Sequence, residues 1–153
     1  MKSNIRGLKV NRGKEARCGA ALVEAALVLA VFFLAVTGII VFGRAMIVAQ
    51  IITNATREGA RQAVLDGSTN SGIESEIQTD IANSLGIPAS DVTVVITLAA
   101  GSQSGTPPTS LQTAGPKDLV TINTSVPYDS VTFVPGTWLA GARLSAQTTM
   151  RHE

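Results

Sequence analysis

Glu24 is a carboxylate inside a long apolar stretch, and its position calls for a chemical explanation. Between residues 20 and 42 it is the only ionisable side chain. Inserting a carboxylate at the centre of a membrane-spanning helix costs about 2.5–3.5 kcal/mol, so such a charge usually has a partner. We therefore treat Glu24 as a candidate functional residue whose partner has to be identified. The alternative is a residue near the cytoplasmic interface that reaches headgroup water and has no partner.

The charged residues are divided unevenly along the chain, although the net charge is only +1. Residues 1–19 hold six Lys/Arg and one Glu, whereas residues 45–153 hold five Lys/Arg and nine Asp/Glu. Because basic flanks tend to remain in the cytoplasm, we expect the N-terminus inside and the acidic remainder outside. The basic segment contains no aromatic residue and adjoins an apolar stretch, so a nucleic-acid partner is not expected.

Few other residues have the types or spacing needed for catalysis or metal binding. Cys18 is the only cysteine, so an intramolecular disulfide is impossible, and the single His152 has no companion at metal-ligand spacing. No nucleophile-elbow or phosphate-binding glycine pattern is present. Asp118 and Asp129 flank a predicted strand and could bind a cation, but solvated strand ends explain them better. We therefore predict no enzyme activity, no catalytic residue, no metal and no cofactor.

The apolar stretch of residues 20–43 has the length of a transmembrane helix. Its 24 residues correspond to roughly 36 Å of α-helix, which spans a hydrocarbon layer with some tilt. A cleavable secretory signal has an apolar region of only about 7–15 residues followed by a small-residue site, and no good site follows here. The sequence thus predicts a basic leader without regular structure at 1–19, a membrane helix at 20–43 and an extracytoplasmic domain at 44–153.

Helical spacing continues beyond the membrane stretch to about Leu65. Polar residues recur on one side of this segment and mostly small residues on another, where a packed element can approach closely. Gly67 suits a left-handed cap, which would end a helix running from Ala20 to Leu65. The polar side holds Gln50, Asn54, Arg57 and Arg61, and the small-residue side holds Ile51, Ala55, Gly59 and Ala63.

The next segment predicts one short helix. A capping-box spacing at Ser71 and Glu74 indicates its start, and Gly86 followed by a proline two residues later indicates its end. Apolar residues recur every four positions between these limits, as in a helix that turns one side to the core. The predicted core residues are Ile73, Ile77, Ile81 and Leu85.

The second half of the chain predicts a small sheet. Alternating β-branched residues indicate strands at 91–98, 119–126 and 144–150, and a Gly-, Ser- and Pro-rich loop is expected at 100–117. We expect an α+β fold in which this antiparallel sheet packs on the small-residue side of the long helix. Three aromatic residues should fill the core beneath a loop, or alternatively form a surface for a partner: Tyr128, Phe133 and Trp138.

Several short motifs together resemble a known family. A glycine after a basic leader, four uncharged residues and then Glu24 resemble the processing site of type IV prepilins and pseudopilins. The longer pattern resembles the TadE-like family, the minor pseudopilins of the tight-adherence (Flp, type IVb) pilus machinery. Many members have an aromatic residue after the glutamate, whereas Ala25 follows it here. The segments that carry the resemblance are residues 17–28, 43–45 and 54–61, with a looser similarity at 148–151.

The resemblance implies a pilin-like fold and a structural role. A prepilin peptidase would cleave between Gly19 and Ala20, which leaves Glu24 as the fifth residue of the mature chain. The new amine of Ala20, from the same chain or a neighbour, could then neutralise Glu24 during assembly. The implied partners are the membrane, the peptidase, the major pilin, other minor pseudopilins and the inner-membrane assembly platform. The implied location is the bacterial inner membrane, with possible incorporation into the pilus.

Two other functions remain open from the sequence. The chain could be a pseudopilin of type II secretion, which the glutamate spacing does not separate from a pilus protein. It could also be an uncleaved, signal-anchored binding module that contacts a ligand through the 100–117 loop. In that second case, replacing Glu24 with alanine should leave localisation and function intact.

Overall fold

The computed structural model describes residues 12–65, 67–101, 107–132 and 139–152. Two α-helices, α1 (Arg12–Ala63) and α2 (Asn70–Leu85), precede three strands: β1 (Thr93–Ala99), β2 (Leu119–Pro127) and β3 (Arg143–Arg151). The strands form one antiparallel sheet in the order β1-β2-β3. This architecture confirms the predicted α+β, pilin-like arrangement of a long N-terminal helix, a second helix and a small antiparallel sheet.

The first part of α1 belongs to a unit that ends at Ile40. Its described side chains are almost all exposed and mostly apolar, as Leu22, Val31 and Phe33 illustrate. The helix is long and apolar enough to cross a membrane. It also begins earlier than predicted, because residues 12–19 are helical. The expectation of an irregular leader is wrong for these residues, which contain the helix formers Lys14, Glu15 and Ala16 and no proline. Residues 1–11 of the predicted leader lie outside the described part.

The second unit begins at Val41 and contains the rest of α1, the second helix and the sheet. This part of α1 buries one side chain every three or four residues, as an amphipathic helix does. The predicted polar side is exposed along its whole length. The helix ends at Ala63 instead of Leu65, and Gly67 has the positive φ of 88° expected of a left-handed position. The buried residues are Val41, Ala45, Val48, Ile52, Thr56, Ala60 and Ala63.

The two helices of this unit pack closely at Gly59. A Cβ atom at this position would lie 2.5 Å from Cγ1 of Ile77, which is much closer than two carbon atoms normally approach. The close packing predicted for the small-residue side is therefore present. The neighbour at Gly59 is α2, however, and not the sheet that we expected there.

The start of α2 differs from the prediction, whereas its end agrees. Thr69 is the N-cap: its backbone is extended, and its Oγ1 accepts a hydrogen bond from the Gly72 amide at 3.1 Å. Ser71, the predicted capping residue, lies inside the first turn. Gly86 closes the helix with φ 68°, as expected of a glycine C-cap. The four predicted core residues of this helix are all buried.

The sheet turns one face of its central strand to the core. The inward side chains of β2 are fully buried, and their cross-strand neighbours in β1 and β3 are half-buried. β1 starts later than predicted because residues 89–91 form a single 3-10 turn after Pro88. Tyr128, directly after β2, is also buried, and its hydroxyl donates to the Val41 carbonyl at 3.2 Å. The core-filling interpretation is therefore confirmed for Tyr128, whereas Phe133 and Trp138 lie outside the described residues.

Candidate functional site: the N-terminal half of the long helix

The predicted processing pair and Glu24 all lie on α1, and all three are exposed. Ala20 and Glu24 are four residues apart in continuous helix, which places them on one side of it and roughly 6 Å apart along its axis. The structure therefore brings the two residues together through the helix itself. Among the described residues, no ion pair involves Glu24.

The surroundings of Glu24 are apolar and open. The neighbouring side chains are large, apolar and between 62 and 71% exposed: Leu22, Val23, Leu27 and Val28. If these side chains contact lipid, Glu24 also faces a medium that does not solvate a carboxylate. A cationic group or a protein neighbour would then stabilise the charge.

Gly19, the first residue of the predicted processing pair, lies inside α1. Apart from its chain neighbours and the backbone of the helix itself, no atom of the described residues lies within 4 Å of the place where its Cβ would be. Glycine in a helix interior is also about 1 kcal/mol less favourable than alanine. A glycine at this position therefore lowers the intrinsic helix stability next to the predicted cleavage bond.

Asp118 differs from the predicted solvated strand end. It is only 2% exposed, its Oδ1 accepts the Gly101 amide at 2.7 Å, and its Oδ2 accepts the Gly115 amide at 2.8 Å. These two hydrogen bonds hold the pKa of Asp118 below its ordinary value, with a smaller contribution from the charge of His152, while burial acts in the opposite direction. The carboxylate therefore fixes the two ends of the loop before β2.

The backbone around Asp118 leaves no room for a side chain at Gly101. A Cβ there would lie 2.6 Å from the Lys117 carbonyl carbon and 3.1 Å from the Asp118 nitrogen. Two further hydrogen bonds of 2.8 Å join this turn to the end of β3, from the Lys117 amide to the His152 carbonyl and from the His152 amide to the Asp118 carbonyl. Sequence reasoning missed this role, because no local pattern in the loop indicates which amide groups the carboxylate of Asp118 meets.

Asp129 also has a structural contact, because its Oδ2 accepts the Gly141 amide at 3.1 Å. In the part of the chain that the structure describes, no group of three or more His, Cys, Asp or Glu side chains could hold a metal ion. The structure does not bring Asp118 and Asp129 together into a site. Each of the two aspartates instead holds a neighbouring loop through backbone amides.

The similarity to known proteins falls on the same helix, α1. A family model described as TadE-like protein matches residues 19–61, which contain Gly19, Ala20, Glu24 and the exposed polar side of α1. The matched segment ends before α2 and the sheet. No curated protein and no solved structure gives a match.

Proposed function

We propose that the chain acts as a membrane-inserted minor pseudopilin in the assembly of a tight-adherence type IVb pilus, because its residues 19–61 match a family model described as TadE-like protein. The observation that carries this proposal is the exposed carboxylate of Glu24 on an apolar, membrane-length helix, five residues after Gly19. The role is structural and not catalytic. Two arguments support a structural role: the TadE-like family is generally non-enzymatic, and a charge in an apolar helix needs a partner.

The proposed mechanism begins with cleavage by a prepilin peptidase. Cutting between Gly19 and Ala20 removes the basic leader and creates a positively charged amine at Ala20. This amine, in the same chain or in a neighbouring subunit, neutralises Glu24. An uncompensated charge in an apolar bundle is strongly destabilising, so the pairing would favour one axial position for each incoming subunit.

The proposed topology divides the chain at the limits given by the sequence. Residues 1–19 form the cytoplasmic leader, residues 20–43 cross the inner membrane, and residues 44–153 form the extracytoplasmic α+β domain. After processing, the chain holds six Lys/Arg and ten Asp/Glu, which gives it an acidic character. The proposed partners are the peptidase, the major pilin, other minor pseudopilins and the inner-membrane assembly platform.

Piliation in a strain that depends on this gene tests the proposal. Glu24→Ala and Glu24→Gln should both reach the membrane and both abolish or strongly reduce pili, because neither carries the negative charge needed for an ion pair with the amine. Leu27→Ala, an exposed apolar position one turn further along α1, is the matched control and should retain pili. Normal piliation of Glu24→Ala would contradict the role assigned to this charge.

The same strains separate the other candidate functions. A defect confined to protein secretion, with pili intact, would favour a type II secretion pseudopilin. An unchanged phenotype of Glu24→Ala together with normal membrane localisation would favour an uncleaved anchored module. Its ligand contact would then be sought in the 100–117 loop, of which residues 102–106 lie outside the described part.

A further inference from the structure

Two surface grooves of opposite charge flank Asn54 on the exposed side of α1. The first, which we call the arginine groove, has Arg57 and no acidic residue among the described residues that line it. The second, the carboxylate groove between α1 and α2, is lined by Glu58 and Asp80 and, in the part of the chain that the structure describes, by no basic residue. The arginine groove is lined by Met46, Ala49, Gln50, Thr53, Asn54 and Arg57. The carboxylate groove is lined by Ile51, Asn54, Ala55, Glu58, Asp80, Asn83 and Ser84.

The charges of these grooves are poorly compensated within the chain. Within the described ranges, neither Arg57 nor Asp80 takes part in an ion pair. Glu58 has one contact, with Arg61 at 4.0 Å, and both side chains are more than half exposed. An exposed pair at that distance contributes little. Each groove therefore presents charge that is available to a partner.

The fold does not require these charges. Val48, Ile52 and Thr56 form the buried side of this part of α1, and Asn54 and Arg57 are exposed on other sides. α2 carries three acidic residues and no basic one, so it adds negative charge beside the carboxylate groove. The two grooves thus face solvent as complementary surfaces on one molecule.

We propose that a second copy of this chain docks here, with Arg57 of one copy seated in the carboxylate groove of the next. A guanidinium group suits such a groove because its fork of N–H donors can bond two carboxylates at once. Asn54, Asn83 and Ser84 supply further polar contacts at the same place. When the copies share one orientation, the contact is heterologous and can repeat from copy to copy.

A second copy fits better than an unrelated acidic or basic partner because both complementary surfaces belong to the same chain. Copies that stand side by side in one orientation can bring the arginine groove of one to the carboxylate groove of the other. The contact involves only residues between 46 and 84 and needs neither cleavage at Gly19 nor the charge of Glu24. Its test is therefore independent of the proposed pilus function.

A charge-exchange experiment on the full chain in detergent micelles tests this contact. Self-association is measured by energy transfer between differently labelled copies, at low and at high salt. The unmodified chain should associate, and salt should weaken the association. Arg57→Glu should weaken it about fivefold or more. Arg151→Glu, an exposed arginine on β3, is the matched control and should not change it.

Mixing two variants gives the decisive result. Arg57→Glu copies mixed with Asp80→Arg copies should recover association, because the new glutamate meets the new arginine while the native pair forms in the other direction. Far-UV circular dichroism checks that each variant is folded. A chain that stays monomeric, an unaffected Arg57→Glu variant, or a mixture without recovery would each overturn the proposal. Loss of pili in Arg57→Glu with unchanged self-association would also overturn it, since the groove would then face a different protein.

Discussion

The packing of α2 on α1 can be tested by a pair of substitutions at Gly59 and Ile77. Replacing a glycine by alanine inside a helix normally stabilises it by about 1 kcal/mol. At Gly59 the added Cβ would lie 2.5 Å from Ile77 Cγ1, whereas carbon atoms pack best at about 3.5–4.0 Å. Ile77 is 1% exposed, so its side chain has little free space into which it can move.

The expected effect of Gly59→Ala is the sum of these two contributions. Overpacking a core costs about 1–3 kcal/mol, which offsets or exceeds the gain in helix propensity. We therefore expect Gly59→Ala to destabilise the contact between the helices by up to about 2 kcal/mol. Ile77→Ala alone should cost about 2–5 kcal/mol, because it leaves a cavity in the core.

In the Ile77→Ala background, the effect of Gly59→Ala on stability should change from destabilising to stabilising. In the Ile77→Ala background the nearest remaining atom to the new Cβ is Ile73 Cγ2, at an ordinary 3.9 Å. Gly59→Ala should then stabilise the protein by about 1 kcal/mol. Amide hydrogen exchange in α2, measured on the full chain in micelles, gives the free energy of local opening for all four proteins.

An additive result would refute this reasoning. If Gly59→Ala changes the opening free energy by the same amount in the unmodified chain and in the Ile77→Ala background, the two positions do not interact. A stabilising effect of Gly59→Ala in the unmodified chain would likewise show that the helices have room for a methyl group. The predicted interaction energy is about 1–3 kcal/mol.

Three further predictions concern the caps and the loop before β2. Gly101→Ala should lower the free energy of unfolding, because its Cβ would meet backbone atoms. Gly115→Ala would make only an ordinary 3.7 Å contact and should be near neutral. Urea unfolding of the two variants measures the difference. Because hydrogen bonds lower the pKa of Asp118, its stabilising contribution should be complete above the unfolded value of about 3.9 and disappear as the pH falls through the lower folded value. Asp118→Asn should therefore flatten the pH dependence of thermal unfolding below about pH 4, and an unchanged profile would exclude this linkage. Thr69→Ala should destabilise α2 by about 1 kcal/mol through loss of its N-cap, while Ser71→Ala should have little effect. Equal effects of the two substitutions on hydrogen exchange in α2 would contradict the assignment of Thr69 as the N-cap.

The features that the sequence predicted well depend on local patterns. The membrane-length helix follows from one uninterrupted apolar stretch, and the buried side of α2 follows from isoleucines at four-residue spacing. The C-cap at Gly86 follows from a glycine with a proline two residues later. Each of these signals lies within a few residues of the structure that it produces.

The features that the sequence missed depend on contacts between distant residues. Asp118 is fixed by the amide of Gly101, which is 17 positions away, and no local pattern indicates that the two meet. The small-residue side of α1 predicted close packing at Gly59 but could not identify α2 as the neighbour. Thr69 and Ser71 both have hydroxyl groups suited to an N-cap, and only the extended backbone at Thr69 distinguishes them.

The N-terminal mass of the protein purified from its native membrane tests the central claim most directly, together with that of a Gly19→Leu variant. We expect the native chain to begin at Ala20 and the variant to retain the residues before it. This result would make Glu24 the fifth residue of the mature chain. A native chain that retains the leader would contradict processing, and the uncleaved anchored module would then explain the protein better.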